Sequence, residues 1–290
     1  PQVSYKDYLN YSMETEFSFR PITEFDVEGV INDLKNKSTT SGDGISSSLL
    51  KALKPIIVQP ISTIFNQSLA TSSFPDSLKI ARVKALFKKG DRTDPGNYRP
   101  ISILPSISKI FEKLLLKQLY AYFTENSLLF KHQYGFRKAH STEHAVLELI
   151  DRVVNDMDKG ANPFSIFIDL SKAFDCLDHD ILLDKLKFYG LSENAVLLLR
   201  NYLSNRKQYI SYNNNTSSSD MANINIGVPQ GSILGPFLFL VYMNDFHHSS
   251  EIFNMVNYAD DTTLLSTINF FTNLPAQSID SELVKVSTWL

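Results

Sequence analysis

Three aspartates stand where short apolar runs of the sequence end. Asp169 directly follows one apolar run, and Asp260 and Asp261 lie between two others. A carboxylate beside so much apolar sequence needs a compensating cation when it is buried, because an unpaired buried charge is costly. Carboxylate oxygens held at strand ends favour Mg²⁺, which completes its coordination shell with substrate phosphates. The three residues are therefore candidates for a magnesium site.

A magnesium site of this kind predicts phosphoryl transfer. Two ions about 3.5–4 Å apart activate an attacking hydroxyl and stabilise the leaving oxygen of an in-line displacement. Each aspartate taken alone is also consistent with a residue that begins a turn, which is a common use of aspartate. Spacing alone leaves both interpretations open.

Hydrophobic periodicity predicts the elements that would hold these carboxylates. Residues 164–168 predict a buried strand that ends at Asp169. Residues 255–258 and 262–265 predict paired strands joined by a turn that contains the other two aspartates. Each carboxylate is therefore predicted at the end of a strand.

The rest of the chain predicts a mixture of helices and strands. From residue 81 the sequence alternates between an apolar and a basic side of a strand. The apolar side has Ala81, Val83, Ala85 and Phe87, and the basic side has Arg82, Lys84 and Lys88. Further helices are predicted at 107–123, 180–189 and 193–203, and another begins after the N-cap Ser141 and ends near Gly160. Two further strands are predicted at 207–213 and 221–226. Before residue 73 the sequence predicts short helices broken by Pro55 and Pro60. The apolar stripes of the helices at 107–123 and after Ser141 are expected to be core. Because strands and helices do not alternate regularly, the predicted fold class is α+β.

Composition excludes several classes of protein. Of the 290 residues, 43% are hydrophobic and 20% are charged, so the chain can bury a core and is not disordered by composition. The longest strongly apolar stretch, residues 233–243, is far shorter than the roughly 20 residues of a membrane-spanning helix, which excludes a membrane-spanning protein. A single cysteine, Cys176, excludes a disulfide framework and a cysteine-based zinc site.

Charge is distributed unevenly along the chain. The formal net charge is −3, which by itself argues against a nucleic-acid-binding protein. Residues 79–138, however, contain 13 Lys and Arg against 4 Asp and Glu, and the remainder contains 15 basic and 27 acidic residues. This asymmetry indicates a surface for polyanions beside an acidic region suited to metal ions, with a solvated basic face as the alternative.

Five short motifs resemble those of reverse transcriptases. Residues 167–175 (FIDLSKAFD) look like the first palm motif, residues 227–232 (GVPQGS) like the template-contacting motif and residues 258–261 (YADD) like the double-aspartate signature. Residues 97–102 (NYRPIS) and 133–137 (QYGFR) are similar to fingers motifs of non-LTR, LINE-type retrotransposon enzymes of the jockey kind. The motifs follow the family's order along roughly two thirds of the chain.

The resemblance implies that the three aspartates are the catalytic carboxylates. Asp169 and Asp260 would be the principal ligands of two Mg²⁺ ions, Asp261 would have a lesser part, and the backbone carbonyl of Leu170 would be an auxiliary ligand, with Mn²⁺ as the expected substitute metal. Phe174 matches the aromatic steric gate that excludes the 2′-hydroxyl of a ribonucleotide, whereas its spacing alone also fits a core aromatic.

Residues that bind the nucleotide are implied as well. Gln230 and Gly231 match the strip against which template and incoming nucleotide pack, although the same residues also fit an ordinary turn. Arg99 is the expected contact to the incoming triphosphate, with Lys84 or Lys88 assisting, because cationic groups neutralise charge on the phosphoryl oxygens. A solvated basic face is the alternative for the two lysines.

The implied function is that of an RNA-directed DNA polymerase active in retrotransposition. The expected partners are an RNA template, a DNA primer or duplex and dNTPs, with no membrane, and the expected location is intracellular, in the nucleus. The implied fold is the right-hand polymerase fold, with an N-terminal helical extension at 1–73, fingers at about 74–162 and a palm at about 163–290. No thumb can be placed, so the chain is expected to be a fragment with little or no processive activity by itself.

Three alternatives stay open. A viral RNA-dependent RNA polymerase shares the palm carboxylates, but it would have a polar residue at position 174. A group II intron or telomerase-type reverse transcriptase performs the same chemistry and differs in its fingers motifs. A non-catalytic nucleic-acid-binding relic of a retroelement would have lost carboxylates, all of which are present here.

The histidines and the cysteine are expected to be structural. His247 and His248 are adjacent, and neighbouring residues of a helix do not face one ligand. His179 is likewise expected to have no role in catalysis. Cys176 has no activating partner in the sequence and is expected to pack against other residues.

Overall fold

The computed structural model describes residues 5–9, 15–36, 43–212, 217–268 and 276–290. Helices and strands are mixed along these residues, which confirms the predicted α+β class. The helices are α1 (Glu24–Asp33), α2 (Ser47–Thr71), α3 (Ser106–Glu125), α4 (Thr142–Asp158), α5 (His179–Phe188), α6 (Glu193–Leu203), α7 (Gly235–Met243) and α8 (Ala276–Trp289). The strands are β1 (Ile80–Phe87), β2 (Tyr98–Ile103), β3 (Asn162–Ile168), β4 (Arg206–Tyr212), β5 (Ser217–Ser218), β6 (Ala222–Ile224), β7 (Asn254–Tyr258) and β8 (Asp261–Ile268).

The chain forms two compact units, each made of separate stretches of sequence. The first contains residues 1–12, 123–173 and 238–290, and the second contains residues 13–122 and 174–237. Among the residues that the structure describes, each unit has one sheet. The boundaries of the helical extension, fingers and palm inferred from the sequence stay predictions.

The sheet of the first unit has three strands in the order β3-β8-β7, and both pairs are antiparallel. The apolar runs at 164–168, 255–258 and 262–265 all lie in these strands, as predicted. The expectation that the first of these runs is a buried strand was wrong, because the side chain of Phe167 is 72% exposed and the other residues of the run are only partly buried. Side chains of a strand alternate between its two faces, and neither face of β3 is fully covered.

Helix α4 packs against this sheet with only part of its apolar surface. The side chain of Ser141 accepts a hydrogen bond from the backbone N–H of His144, which confirms the predicted N-cap. Ala145 is buried with Val256 and Leu265, while Leu149 and Val153 pack against the same cluster. Three residues of the stripe, Val146, Ile150 and Val154, are exposed, contrary to the expectation that the stripe is core. The stripe is wider than the face of the helix that contacts the sheet.

The sheet of the second unit has the order β2-β1-β4-β5, with β6 also paired with β4. Strands β1 and β4 are parallel, and the remaining pairs are antiparallel. The alternation predicted from residue 81 is confirmed only in the first half of β1, where Ala81 and Val83 are buried and Lys84 is exposed; Ala85, predicted on the apolar side, is exposed because the covered part of the strand ends before it. The strand therefore carries its basic side chains on the face that is open to solvent.

Helix α2 is continuous, so the prediction of short helices broken by prolines was wrong. Pro55 and Pro60 both lie inside its 25 residues. A proline in a helix interior costs about 3 kcal/mol because it removes a hydrogen bond and displaces a carbonyl. Burial of apolar side chains offsets this cost, since each contributes roughly 1.5–3 kcal/mol. The buried apolar residues of the helix are Leu50, Val58, Ile61 and Phe65.

Candidate active site

The three aspartates lie at one end of the three-stranded sheet. Ile168, the last residue of β3, pairs with Thr262, so Asp169 leaves β3 beside Asp261, the first residue of β8. Asp261 in turn pairs with Tyr258 at the end of β7, and the turn between them contains Asp260. The strand register thus brings together the carboxylates that the sequence predicted as a metal site.

The aspartates act on one another electrostatically. The pKa of Asp261 is raised above its ordinary value, first by partial burial and then by the negative charges of Asp260 and Asp169. Like charges raise the pKa of a carboxyl only when they are near, because they disfavour its ionised form. The cluster is therefore a concentration of negative charge that a cation would relieve.

The chemistry of these ligands fits a divalent metal ion. Among the described residues, no group of at least three His, Cys, Asp or Glu side chains is arranged to enclose an ion. Magnesium needs no such cage, since it is bound through one or two carboxylates and completes its shell with water and substrate phosphates. Asp169, Asp260 and Asp261 supply those carboxylates, and the carbonyl of Leu170 follows directly in the chain.

The turn between β7 and β8 is held by a residue that the sequence did not indicate. Ala259 has a left-handed conformation, with φ of 57°. The side-chain amide of Gln133 accepts a hydrogen bond from the N–H of Ala259 at 2.9 Å and donates one to its carbonyl at 3.2 Å. Gln133 belongs to the 133–137 motif, but nothing in that motif's spacing points to residue 259.

The second unit brings the Phe174 region and the 227–232 motif together. The carbonyl of Phe174 accepts a hydrogen bond from the N–H of Val228 at 2.9 Å. Nε2 of Gln230 donates to both carboxylate oxygens of Asp175, each at 3.0 Å. Gly227 has φ of 78°, and a Cβ there would lie 2.7 Å from backbone atoms of residues 174 and 175. Glycine is required by both the conformation and the lack of space.

Gly231 approaches β2 equally closely. Its φ is 123°, and a Cβ would lie 2.4 Å from the carbonyl oxygen of Ser102. The N–H of Ser102 donates to the carbonyl of Gln230 at 2.7 Å. Because Ser102 is three residues after Arg99 in the same strand, the structure joins the 227–232 motif to the strand that carries Arg99.

The cationic candidates lie on the open face of the same sheet. Arg99 pairs with Leu86 and Lys84 pairs with Ile101, so these four side chains share one face of the β1–β2 pair. Lys88 follows the end of β1, where its N–H donates to the carbonyl of Asn97 at 2.8 Å. Arg99, Lys84 and Lys88 are all exposed. Their positions suit contact with an anionic ligand, and they are equally those of a solvated face.

Two further residues that hold the 227–232 region were missed. Glu112 is fully buried in α3, and its Oε2 accepts hydrogen bonds from the N–H groups of Ile233 at 2.7 Å and Leu234 at 3.1 Å. Nε2 of His179 lies 2.7 Å from the carbonyl oxygen of Gly227, and it must donate because a carbonyl only accepts. A charged residue within an amphipathic stripe was the available signal for Glu112, whereas His179 had none.

His247 and Cys176 are two of the residues that were expected to be structural. His247 packs its ring on Phe130 with centroids 4.1 Å apart. The expectation that Cys176 packs against other residues was wrong, since it is exposed. Among the residues that the structure describes, every helix is too short or too polar to cross a lipid bilayer.

Comparison with known proteins identifies the family. Residues 87–275, more than half of the chain, match the family model described as reverse transcriptase (RNA-dependent DNA polymerase). The chain belongs to the reverse transcriptase family. The match includes Arg99, Lys88, Phe174, Gln230 and the three aspartates, whereas Lys84 lies before it. Members of this family use divalent metal ions.

Two relatives of this reverse transcriptase domain are polymerases named as those of mobile elements. It is 31% identical over 297 aligned positions to the probable RNA-directed DNA polymerase from transposon BS of Drosophila melanogaster, with 98% of the chain and 32% of that protein covered. It is 29% identical over 269 positions to the RNA-directed DNA polymerase from mobile element jockey of the same species, with 90% of the chain and 29% of that protein covered. The resemblance to non-LTR retrotransposon enzymes is thereby confirmed. The chain spans less than a third of the length of these curated relatives.

Proposed function

We propose that this chain performs the polymerase reaction of an RNA-directed DNA polymerase. In this reaction a deoxynucleotidyl group is transferred to the 3′-hydroxyl of a primer, as directed by an RNA template, and pyrophosphate is released. The observation that carries the proposal is the placement of Asp169, Asp260 and Asp261 at one end of the three-stranded sheet, in a member of the reverse transcriptase family.

Asp169 and Asp260 are the residues that would hold two Mg²⁺ ions, with Asp261 in a lesser part and the carbonyl of Leu170 as an auxiliary ligand. When bound, such ions activate the attacking hydroxyl and neutralise charge on the leaving oxygen, and Mn²⁺ would substitute for them. The raised pKa of Asp261 supports this assignment, because after partial burial its causes are the negative charges of Asp260 and Asp169, which places the three carboxylates close enough to interact.

The second unit supplies the proposed contacts to the nucleotide. Arg99, with Lys84 and Lys88, would bind the triphosphate from the open face of β1 and β2. Phe174 would exclude a 2′-hydroxyl, and the hydrogen bond from Val228 to its carbonyl fixes its backbone. Gln230 and Gly231 would pack against the template and the incoming nucleotide, where the absence of a Cβ permits close approach.

The wider assignments follow from the family. The fold would be that of a right-hand polymerase, with fingers at about 74–162 and a palm at about 163–290. The partners would be an RNA template and a DNA primer, and the site of action would be the nucleus, where a mobile element inserts.

The test removes the charge of one carboxylate without changing its size. Asp260→Asn and Asp169→Asn are compared with the parent for addition of a single dNTP to a primed RNA template with Mg²⁺, and for Mn²⁺ binding measured by electron paramagnetic resonance. Both variants should lose several orders of magnitude in addition rate and should bind Mn²⁺ more weakly. Asp151→Asn, on the exposed side of α4, is the control and should behave as the parent. Addition and Mn²⁺ binding at the parent's level by Asp260→Asn would contradict the proposal.

A further inference from the structure

The turn that carries Asp260 has a conformation that its own sequence disfavours. Ala259 has φ of 57°, in the left-handed region where residues other than glycine are uncommon, because Cβ crowds the following carbonyl. Such a conformation persists only where the surroundings determine it. Ala259 is buried, and the next residue in the chain is Asp260, so the conformation of Ala259 sets the direction in which Asp260 leaves the turn.

One side chain satisfies both polar backbone groups of Ala259. Oε1 of Gln133 accepts from the N–H of Ala259 at 2.9 Å, and Nε2 donates to its carbonyl at 3.2 Å. The same Oε1 also accepts from the N–H of Gly135 at 2.8 Å, so both lone pairs of that oxygen are used. Gln133 is only 5% exposed, which keeps water from competing for these hydrogen bonds.

The segment that contains Gln133 is itself fixed against β7. The N–H of Asn257 donates to the carbonyl of His132 at 2.9 Å, and its carbonyl accepts from the N–H of Tyr134 at 2.8 Å. Gly135 lies so close to the turn that a Cβ there would be 2.1 Å from the nitrogen of Ala259. The amide of Gln133 therefore reaches the turn from a rigid support.

We propose that Gln133 is a positioning residue that holds the Ala259 turn in its left-handed conformation and so sets the affinity of the aspartate cluster for a divalent cation. The inference rests on the proposed function, since it concerns the same metal site. Metal ligands must be placed to within a few tenths of an ångström, and a change in the backbone before Asp260 would displace its carboxylate by more than that. A neutral amide suits the task, because it donates and accepts hydrogen bonds without adding charge near three carboxylates.

The experiment measures binding of Mn²⁺ alone to the 290-residue chain by electron paramagnetic resonance. Gln133→Met keeps the length of the side chain and removes all three hydrogen bonds. We expect its affinity for Mn²⁺ to fall by about 10- to 100-fold, the range found when residues that orient metal ligands are replaced. In a primer-extension assay kcat should fall while KM for the template–primer stays unchanged.

The matched control is Gln118→Ala. The side chain of Gln118 holds a backbone in the same way, since it accepts from the N–H of Arg20 at 2.8 Å and donates to its carbonyl at 3.2 Å, but it belongs to the second unit. The variant Gln118→Ala should bind Mn²⁺ as the parent does. The double variant Gln133→Met/Ala259→Gly provides a rescue, because glycine adopts a positive φ without strain and should recover part of the lost affinity.

The outcomes separate the inference from the proposed function. Parent-like Mn²⁺ affinity in Gln133→Met, with weak binding by Asp260→Asn, overturns the role of Gln133 and leaves the metal site in place. Parent-like affinity in Asp260→Asn overturns both. If Gln133→Met does not fold, Gln133→Asn is measured instead, because its amide is one methylene too short to reach both groups of Ala259. Parent-like affinity in that folded variant also overturns the inference.

Discussion

Gln230 and Asp175 are joined through their side chains, with Nε2 of Gln230 3.0 Å from each carboxylate oxygen of Asp175. The contact links the 227–232 motif to the residue after Phe174, and the backbone hydrogen bond from Val228 to Phe174 lies beside it. The proposed template-contacting strip and the proposed steric gate are therefore connected, so a substitution in one of them should affect the other.

This contact should appear as a coupling energy in a double-mutant cycle. Hydrogen bonds to an ionised carboxylate contribute about 1.5–3 kcal/mol, and Asp175 is only half-buried, so we expect about 1–2 kcal/mol between Gln230→Ala and Asp175→Ala. The measurement is urea unfolding of the parent, both single variants and the double variant. Additive losses to within about 0.3 kcal/mol would show that the contact contributes no stability.

Replacing Phe174, the proposed steric gate, should change the selection of deoxynucleotides over ribonucleotides. Phe174→Val opens space where a ribonucleotide's 2′-hydroxyl would lie, so kcat/KM for ribonucleotides should rise relative to that for deoxynucleotides. One relieved clash of about 2–4 kcal/mol corresponds to roughly 30- to 1000-fold. The measurement is single-nucleotide addition with each substrate, and Phe188→Val, a half-buried aromatic of α5, is the control. Unchanged discrimination in Phe174→Val would assign this ring to the core alone.

A methyl group at position 135 should destabilise the fold. Gly135→Ala places Cβ 2.1 Å from the nitrogen of Ala259, so either the turn or the 132–135 segment must move. Overpacking of this kind costs about 1–3 kcal/mol or more in the free energy of unfolding. Urea unfolding measures this loss. The control, Gly29→Ala, lies in α1 with no atom within 4 Å of the added Cβ, and it should be neutral or stabilising. Equal stabilities of the two variants would contradict the close approach.

Stability should fall as the pH is lowered from about 7 to 4. Burial, assisted by the nearby His248 and His132, lowers the pKa of His247 to about 4, whereas a histidine of the unfolded chain has a pKa of about 6.5. Between these values the unfolded state binds more protons, so the free energy of unfolding decreases with falling pH. The ring is partly exposed, and we expect a loss of about 1–3 kcal/mol from this residue.

The pH dependence is checked by urea unfolding at pH 7, 5.5 and 4. His247→Phe keeps the stacking on Phe130 but cannot bind a proton, so its loss of stability over this range should be smaller than that of the parent. Some dependence should remain, because burial also lowers the pKa of His132 and His248. Identical slopes for parent and variant would contradict the assignment to His247.

Local signals account for the parts of the fold that could be predicted. The strand period predicted β3, β7 and β8, and the strand ends located the three aspartates. The N-cap Ser141 located the start of α4, because the capping hydrogen bond joins residues three apart. Where tertiary packing opposes a local signal, the prediction failed. Pro55 and Pro60 predicted breaks in a helix that burial of its apolar side keeps continuous.

The residues that hold the candidate site could not be predicted in this way. Gln133 and Ala259 are 126 residues apart, and Glu112 is 121 residues from Ile233. Neither contact leaves a periodic pattern, because a hydrogen bond across such a separation depends on how two whole elements pack. The same is true of α4, whose apolar stripe does not reveal which of its residues the sheet covers.

The amino-acid sequence by itself determined the chemistry proposed for this protein: three aspartates at strand ends, a phenylalanine five positions after the first of them, and motifs in the order of a reverse transcriptase. These are properties of residue type and of spacing along the chain, and the regular geometry of a strand converts such spacing into a defined position in the fold. Only the tertiary structure decided which backbone groups Gln133 and Glu112 hold, where glycine is required for lack of space, and that Asp260 follows a left-handed residue. Those features depend on contacts between segments distant in sequence, where packing selects one arrangement among many that the local sequence permits.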